Sequence, residues 1–349
     1  MRKVTYRNIH NFFKFNGVHF DSNGLRVAAY YLIKEGNEYE KAIGDFLLDW
    51  FDDNPYIDLQ TSGTTGAPKI IRKSKQALVN SALATGDFFG LKPGDTALCC
   101  LPVQFIAGKM MLVRGLILGL AIDFVTPNSN PLENVNKEYD FVAMVPLQVE
   151  NSLNLLHKVN KLIIGGAKMN ISLEKKLLNF STKVYETYGM TETITHIAAK
   201  KIGEQAFSIL PNVSISQDEK DCLVIDAPQV SDERLFTNDL VELINDNQFV
   251  LLGRIDNVVN SGGVKLIPEK IEEKLADAIK TRFFVGGIQD AVLGEKLVLV
   301  IEGEKQDWDE SIFAVLDKYE KPKALFFVPE FDTTESGKIK RKAILKTLE

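Results

Sequence analysis

The sequence is poor in the residues that build disulfides and metal centres. Three cysteines, Cys99, Cys100 and Cys222, and four histidines are spread over 349 residues, and no Cys/His group has the spacing of a zinc site. A disulfide-stapled domain is excluded, and a reducing, cytoplasmic setting is expected. A basic excess is also missing: 41 Lys and Arg stand against 47 Asp and Glu, a formal charge of −6. That balance argues against a partner held through a phosphate backbone, so no nucleic acid is expected. Long apolar runs are absent too. The longest, residues 115–125, contains Asp123 and is too short to cross a bilayer, so no integral membrane segment is expected. The opening residues, MRKVTYRNIHNFFKF, are basic but lack the apolar core and cleavage site of a secretory leader. There is no internal repeat and no low-complexity stretch.

What is present is an ordinary soluble composition, 45% hydrophobic and 25% charged, over a length that suits two or three folding units. Between residues 59 and 126 strand-like and helix-like segments alternate. The patterns predict a helix over 75–89, a buried strand over 96–101, an apolar helix over 108–120 and a strand over 121–125. Further short buried strands are expected at 140–145 and 161–164. That order favours an α/β sheet with crossover helices. After residue 204 the text shifts to short strands with polar turns (222–225, 240–244, 249–251), a β-rich subdomain. Beyond residue 254 come a Gly-rich turn, a helix over 268–280, strands at 283–285 and 297–301, and another helix. The fold class read from this is α/β: a large N-terminal α/β domain with a β-rich subdomain (1–255), then a small α+β C-terminal domain (256–349).

The segment LQTSGTTGAPK (59–69) sets the hydroxyls of Thr61, Ser62, Thr64 and Thr65 around Gly63 and Gly66 and ends in Lys69. Glycines let successive amide N–H groups turn toward one anion, and hydroxyls add compact donors, so this is phosphate-cradling chemistry. It is not a Walker A loop, which needs four residues between its first Gly and the Gly-Lys-Ser/Thr end. Taken alone, it also reads as a flexible Ser/Thr/Gly linker.

TSGTTGAPK resembles the signature loop of adenylate-forming enzymes, the acyl- and aryl-CoA ligases, luciferases and peptide-synthetase adenylation domains. The family's later signatures follow in order: IIGGAKM (163–169), YETYGMTET (185–193), TNDL (237–240), GRIDNVVNSGGVKLIPEKIE (253–272) and TTESGKIKR (333–341). The resemblance implies ATP, Mg²⁺ and CoA as partners of a carboxylic acid. It implies that Gly165, Gly166, Ala167, Tyr188, Gly189 and Met190 surround the adenylate, with the aromatic face of Tyr188 against adenine. Thr191 would donate to the α-phosphate and Glu192 would bind Mg²⁺, a hard cation that takes oxygen ligands. Asp239 would accept from the ribose hydroxyls, supported by Arg254. Asn238 stands where the family usually has Gly, a mild departure because Asn tolerates left-handed turns. Lys338 becomes the adenylation lysine, offsetting charge at the α-phosphate and carboxylate. The small domain is implied to rotate about Asp256, exchanging the Lys338 face for the Gly262–Gly263 loop that lines the CoA channel. Each residue also has a plainer reading: a strand-edge Tyr, a capping Thr-Glu pair, an Asp bonding its own turn and a solvated tail Lys.

LPVQFIAGKMMLVR (101–114) resembles the family's LPLFHxxG segment, with Phe105 where a His is common. The acyl site is therefore expected around Phe105, Gly108, Lys109, Arg114 and Thr195. Arg114, inside the run MMLVRGLILGL, has two open readings: a guanidinium awaiting a carboxylate, or an Arg snorkelling from a helix edge. An Arg follows the same segment at the same spacing in the o-succinylbenzoate–CoA ligases of menaquinone synthesis, whose substrate carries two carboxylates. The resemblance thus favours o-succinylbenzoate, with another aryl- or fatty acyl-CoA ligase, or a nucleotide-binding homologue without catalysis, as alternatives. In most of the family the phosphate loop lies far deeper into the chain than Thr61. The expectation is a compact ligase short at its N-terminal end, its uncovered flank shielded by another surface such as a second subunit.

Overall fold

The computed structural model describes residues 4–60, 70–306, 309–333 and 339–348. Its contacts group the chain into two compact units, one of Met1–Met169, Lys175–Ser214 and Asp226–Leu235, the other of Asn170–Glu174, Ile215–Ile225 and Phe236–Glu349. The boundary expected at residues 255/256 falls inside the second unit.

The first unit opens with a short strand, β1 (Lys14–Phe15), and two helices that the sequence patterns did not bring out, α1 (Ser22–Glu35) and α2 (Glu38–Phe51). Both have good starts: Asp21 accepts from the Gly24 amide, and Asn37 with Glu40 forms a reciprocal capping box. Strands β2 (Tyr56–Gln60) and β3 (Ile70–Ser74) pair antiparallel. Ser74 then caps α3 (Lys75–Phe89), which stops on left-handed Gly90. Next come β4 (Thr96–Cys99), α4 (Ile106–Leu118), β5 (Ala121–Phe124), β6 (Tyr139–Met144), the short α5 (Pro146–Asn151), β7 (Val159–Ile164), the short α6 (Ile171–Leu177), β8 (Lys183–Gly189), β9 (His196–Lys201) and β10 (Phe207–Ile209). The α/β class and the predicted segments from residue 75 to 164 hold to within a few residues.

The sheet order in this unit is β1-β5-β4-β6-β7-β8-β9-β10. From β1 to β8 neighbours run parallel, and β9 and β10 turn antiparallel. The chain passes from β4 to β5 on one side, then returns to place β6 on the other. Parallel sheets put ligand sites at the carboxyl ends of their strands beside such a reversal. The loops following β4, β5, β6, β7 and β8 leave from that edge. Helix α4 packs on α3, and nine of its residues are buried. It is apolar all round because protein encloses it, and each fully buried Leu or Met there stabilises the fold by about 1.5–3 kcal/mol.

In the second unit β11 (Ser214–Gln217), β12 (Cys222–Asp226), β13 (Leu235–Asn245) and β14 (Gln248–Arg254) lie in the order β14-β13-β12-β11, the expected β-rich part. A single turn of 3-10 helix, Ile255–Asn257, follows. Strands β15 (Val259–Ser261) and β16 (Val264–Leu266), helix α7 (Pro268–Leu275), and strands β17 (Phe283–Asp290), β18 (Gly294–Glu302) and β19 (Ala324–Val328) build a five-stranded sheet with its helix, and α8 (Arg341–Lys346) closes the unit. Two expectations change here. Helix α7 ends at Leu275 rather than 280, and beyond it the amides of Ala278 and Ile279 share the Leu275 carbonyl. The helix expected after β18 is a 3-10 segment, Glu310–Val315. No helix among the described residues is long and apolar enough to cross a membrane.

Candidate active site

The phosphate-loop residues Thr61, Ser62, Gly63, Thr64, Thr65, Gly66 and Lys69, and Lys338 of the C-terminal motif, lie outside the described residues. The remaining candidates fall into three groups.

The first group stands on the carboxyl edge of β7 and β8. Gly165, Gly166 and Ala167 follow directly on β7, and the Gly165 amide donates to the Met144 carbonyl at the end of β6. Gly166 has φ +84°, a conformation a side chain disfavours, so the chain turns sharply over the strand ends there. Tyr188 and Gly189 end β8, and Tyr188 meets Phe207 edge-on with ring centroids 6.0 Å apart. Met190 leads into the 3-10 turn Thr191–Thr193, whose last residue holds the loop together. The Thr193 hydroxyl accepts from the Met190 amide at 3.0 Å and has its one proton within reach of two carbonyls, Thr195 at 2.7 Å and Met190 at 2.9 Å. Glu192 projects from this turn near Lys73 of β3. Burial lowers the Lys73 ammonium, and the charges of Asp232 and Glu192 offset this only in part. Lys73 was not singled out from sequence. Magnesium takes phosphate oxygens readily and needs few protein carboxylates, and Glu192 is a carboxylate this edge supplies.

The second group surrounds α4. Arg114 is 2% exposed, so it does not snorkel. Among the described residues its NH1 reaches only the Met111 sulfur at 3.7 Å, its NH2 donates a long bond to Thr195 Oγ1 at 3.5 Å, and its Nε has no partner. No carboxylate pairs with it among the described residues. Burial lowers the guanidinium to about 10, so it stays charged at neutral pH. Two expected neighbours face elsewhere. Lys109 donates to the Gln104 carbonyl at 3.1 Å and lies over the Phe46 ring of α2, five positions back from Arg114 and so on a different face of the helix. Gly108 packs against backbone: a Cβ there would stand 2.4 Å from the Pro102 carbonyl oxygen, a close-approach role rather than a pocket wall. Phe105, 42% exposed, begins α4. Beside Thr195 lies a residue the sequence patterns did not reveal. His196 is buried, with Nε2 at 3.3 Å from Thr85 Oγ1 and Nδ1 at 3.3 Å from Thr195 Oγ1. Burial, and secondarily the Arg114 charge, hold it well below the ordinary imidazole range. His196 and Thr193 also border a small recess of about 20 Å³, open to solvent, with Ser81 and Asn212 among its lining residues. A lone His seven residues after a glycine carries no sequence signal for any of this, since Thr85 is 111 residues away.

The third group belongs to the second unit. Asp239 and Arg254 are register partners on β13 and β14, and Arg254 NH1 lies 3.3 Å from Asp239 Oδ1. Arg254 NH2 also donates to Asp256 Oδ2 at 3.2 Å, as does the Asn238 amide at 3.1 Å. Burial by itself raises the Asp256 carboxyl, but these bonds outweigh it and hold it below the usual carboxylate value. Asn238, the departure from the family pattern, thus has a local partner. Gly262 and Gly263, at φ +59° and +82°, form the two-residue turn of the β15–β16 hairpin, which demands positive φ at both positions. The three cysteines are buried and unpaired, and burial pushes the Cys99 thiol up to about 11, so it is not a neutral-pH nucleophile.

A profile of the AMP-binding enzyme family matches residues 49–228, more than half of the chain. The chain belongs to the AMP-binding enzyme family. One solved relative, an acyl-CoA synthetase (AMP-forming)/AMP-acid ligase II-like protein from Dyadobacter fermentans, is 36% identical at a TM-score of 0.62, covering 93% of this chain and 98% of that one. A 2-succinylbenzoate–CoA ligase from Lactococcus lactis is 25% identical over 325 residues, 85% of this chain and 72% of the relative. The o-succinylbenzoate coenzyme A synthetase of Bacillus subtilis, solved with ATP and magnesium, shares the fold at a TM-score of 0.72 and 21% identity, over 82% of this chain and 68% of that one. Family membership accounts for the first group's position: the adenylate signatures of the sequence fall on loops at the carboxyl edge of the parallel strands.

Proposed function

We propose that this member of the family is an AMP-forming acid–CoA ligase whose acid carries a second carboxylate, with 2-succinylbenzoate preferred and ATP, Mg²⁺ and CoA as co-substrates. One observation carries the choice of acid: Arg114 is a buried guanidinium with an unpartnered Nε and no carboxylate among the described residues. An unpaired buried ion costs several kcal/mol, of order 3 or more. A substrate carboxylate would offset that cost and use the planar donor fork bidentately. The name of the Lactococcus lactis relative agrees.

In the proposed reaction a carboxylate oxygen of the acid attacks the α-phosphorus of ATP. The bond to the bridging oxygen of the β-phosphate breaks, and pyrophosphate leaves. The CoA thiolate then attacks the acyl carbon, and AMP departs as the acyl–oxygen bond breaks. For the nucleotide, Gly165, Gly166, Ala167, Tyr188, Gly189 and Met190 would frame adenine, Asp239 with Arg254 the ribose, and Thr191 the α-phosphate, with the 61–69 loop on the outer phosphates. Glu192 would hold Mg²⁺, which would offset part of the negative charge of the triphosphate. Lys338 would neutralise the approach of two anions. Domains 1–255 and 256–349 would pivot at Asp256, bringing the Gly262–Gly263 turn to the pantetheine arm; a pivot confined to a few residues suits one site serving two half-reactions.

The test is a panel of acids with ATP and CoA, read by AMP release. Activity on 2-succinylbenzoate is expected far above that on benzoates and fatty acids. Arg114→Leu should raise the KM for the dicarboxylate about 10- to 100-fold, the loss of hydrogen bonds between charged groups, with the KM for ATP unchanged. A benzoate or fatty acid preference, or an unchanged KM, removes the assignment of the acid.

A further inference from the structure

Arg114 does not reach Thr195 by chance of packing, because a directed chain of hydrogen bonds stands behind it. Thr85 Oγ1, on α3, donates its proton to the Ser81 carbonyl at 2.9 Å. It can therefore only accept from His196 Nε2, 3.3 Å away, which makes Nε2 the protonated nitrogen. His196 Nδ1 is then a bare acceptor, and the donor facing it at 3.3 Å is the Thr195 hydroxyl. With its proton committed, Thr195 Oγ1 presents lone pairs, and Arg114 NH2 donates to one at 3.5 Å. Every direction in the series follows from one end, the helix carbonyl of Ser81.

The backbone beside Thr195 supports the same end. Ile194 sits at φ +69°, ψ −59°, and the Thr195 amide donates to the Thr193 carbonyl at 2.8 Å. That is a three-residue γ-turn in its rare, strained form, held here by a buried β-branched residue. Strain of this kind persists only where the surroundings fix it. It makes the bend between the Thr191–Thr193 turn and β9 and so sets the start of the strand from which Thr195 and His196 are presented.

Resting on the reading of Arg114 as the anchor for a substrate carboxylate, we propose that His196 is a positioning residue. As the neutral Nε2–H tautomer bridging Thr85 and Thr195, it fixes the direction in which Arg114 offers its remaining donors. A second cation in its place would repel the guanidinium, and an apolar residue would free the Thr195 hydroxyl to rotate.

Three steady-state measurements on the full-length enzyme test this, with 2-succinylbenzoate as the dicarboxylate and benzoate as the monocarboxylate probe. His196→Leu should raise the dicarboxylate KM about tenfold, one misdirected hydrogen bond to a charged group, leaving the KM for ATP and the weak turnover of benzoate as in wild type. His196→Gln, which keeps a donor and an acceptor, should recover much of the loss. If Arg114→Leu raises the dicarboxylate KM and His196→Leu does not, the positioning role falls and the acid reading stands. If neither variant moves it, both fall. An equal loss on benzoate marks His196 as merely structural and overturns the proposal. Nitrogen NMR of the histidine-labelled enzyme at pH 7 tests the tautomer independently of turnover: Nε2 protonated and Nδ1 bare is expected, and the opposite tautomer refutes the chain.

Discussion

Lys75 and Arg114 are both enclosed cations on neighbouring helices, and the protein treats them in opposite ways. Lys75, fully buried at the start of α3, lies 2.5 Å from Asp52 and over the Tyr6 ring. In the second unit the partly buried Arg341 is matched more completely, with Glu272 receiving both arms of its guanidinium at 2.7 and 2.9 Å. Burial alone would lower Arg341, but Glu272 outweighs it and leaves the guanidinium above its ordinary value. Arg114 is as enclosed as Lys75 and has no such partner among the described residues; burial lowers its proton affinity instead, though it stays charged at neutral pH. The first two cations are completed by the fold. On the proposed reading Arg114 is left for the carboxylate of the acid, which is how a binding charge would differ from a structural one.

The largest expected effect tests the completed side. Arg341→Leu leaves the largely enclosed Glu272 carboxylate without its ion-pair partner, holding only the Val285 amide among the described residues, and should cost about 3 kcal/mol in chemical denaturation. Arg114→Leu strands nothing and fills an apolar neighbourhood, so it should be neutral or raise stability by about 1–2 kcal/mol. If both variants lose stability alike, the contrast is broken and Arg114 is structural.

How far this contrast is readable from sequence depends on distance along the chain. Helix α3 is legible at both ends because Ser74 and Gly90 are local stop signals, and the parallel strands are legible as short apolar runs. The sequence also flags Arg114, since a cation interrupts the apolar run MMLVRGLILGL. It does not separate Arg114 from Lys109. Their different neighbours, Thr195 for one and the Phe46 ring for the other, come from elements far along the chain. Helix α7 stops short of its expected length although nothing between Ala276 and Lys280 is a helix breaker; two amides share the Leu275 carbonyl there. Helices α1 and α2 carry Asp21 and Asn37 as caps, local signals too small to outweigh the weak periodicity around them. His196 is invisible in the sequence, because its role depends on Thr85 and on a strained turn.

The next effect sharpens the comparison through pH. His196 is buried neutral beside Arg114, with its imidazole held well below the ordinary 6.5. In the unfolded chain it protonates near 6.5, so below that pH the unfolded state binds more protons than the folded one. Stability contributed by the neutral ring is complete above about 6.5 and declines as pH falls toward the depressed folded value, by at most about 1.4 kcal/mol per pH unit for one proton. His196→Gln should flatten the wild-type slope below pH 6.5 by that part alone. An unchanged slope means that the ring accepts a proton despite Arg114.

Arg254 gives the smallest effect and adds the remaining case to the comparison, a cation that is paired but open to water. It bridges Asp239 at 3.3 Å and Asp256 at 3.2 Å with its side chain 48% exposed. Solvent reaches Arg254 and weakens both pairs, although Asp239 itself is buried, so Arg254→Ala should cost about 1 kcal/mol in denaturation, the top of the range of surface ion pairs. If Arg254 serves the ribose or phosphate of ATP, the same variant should raise the KM for ATP several-fold and leave the acid's KM unchanged, the mirror image of Arg114→Leu. Measured together, the two variants separate a cation that the nucleotide needs from one that the acid needs. A shift in the acid's KM for Arg254→Ala would mean that the two sites are not independent.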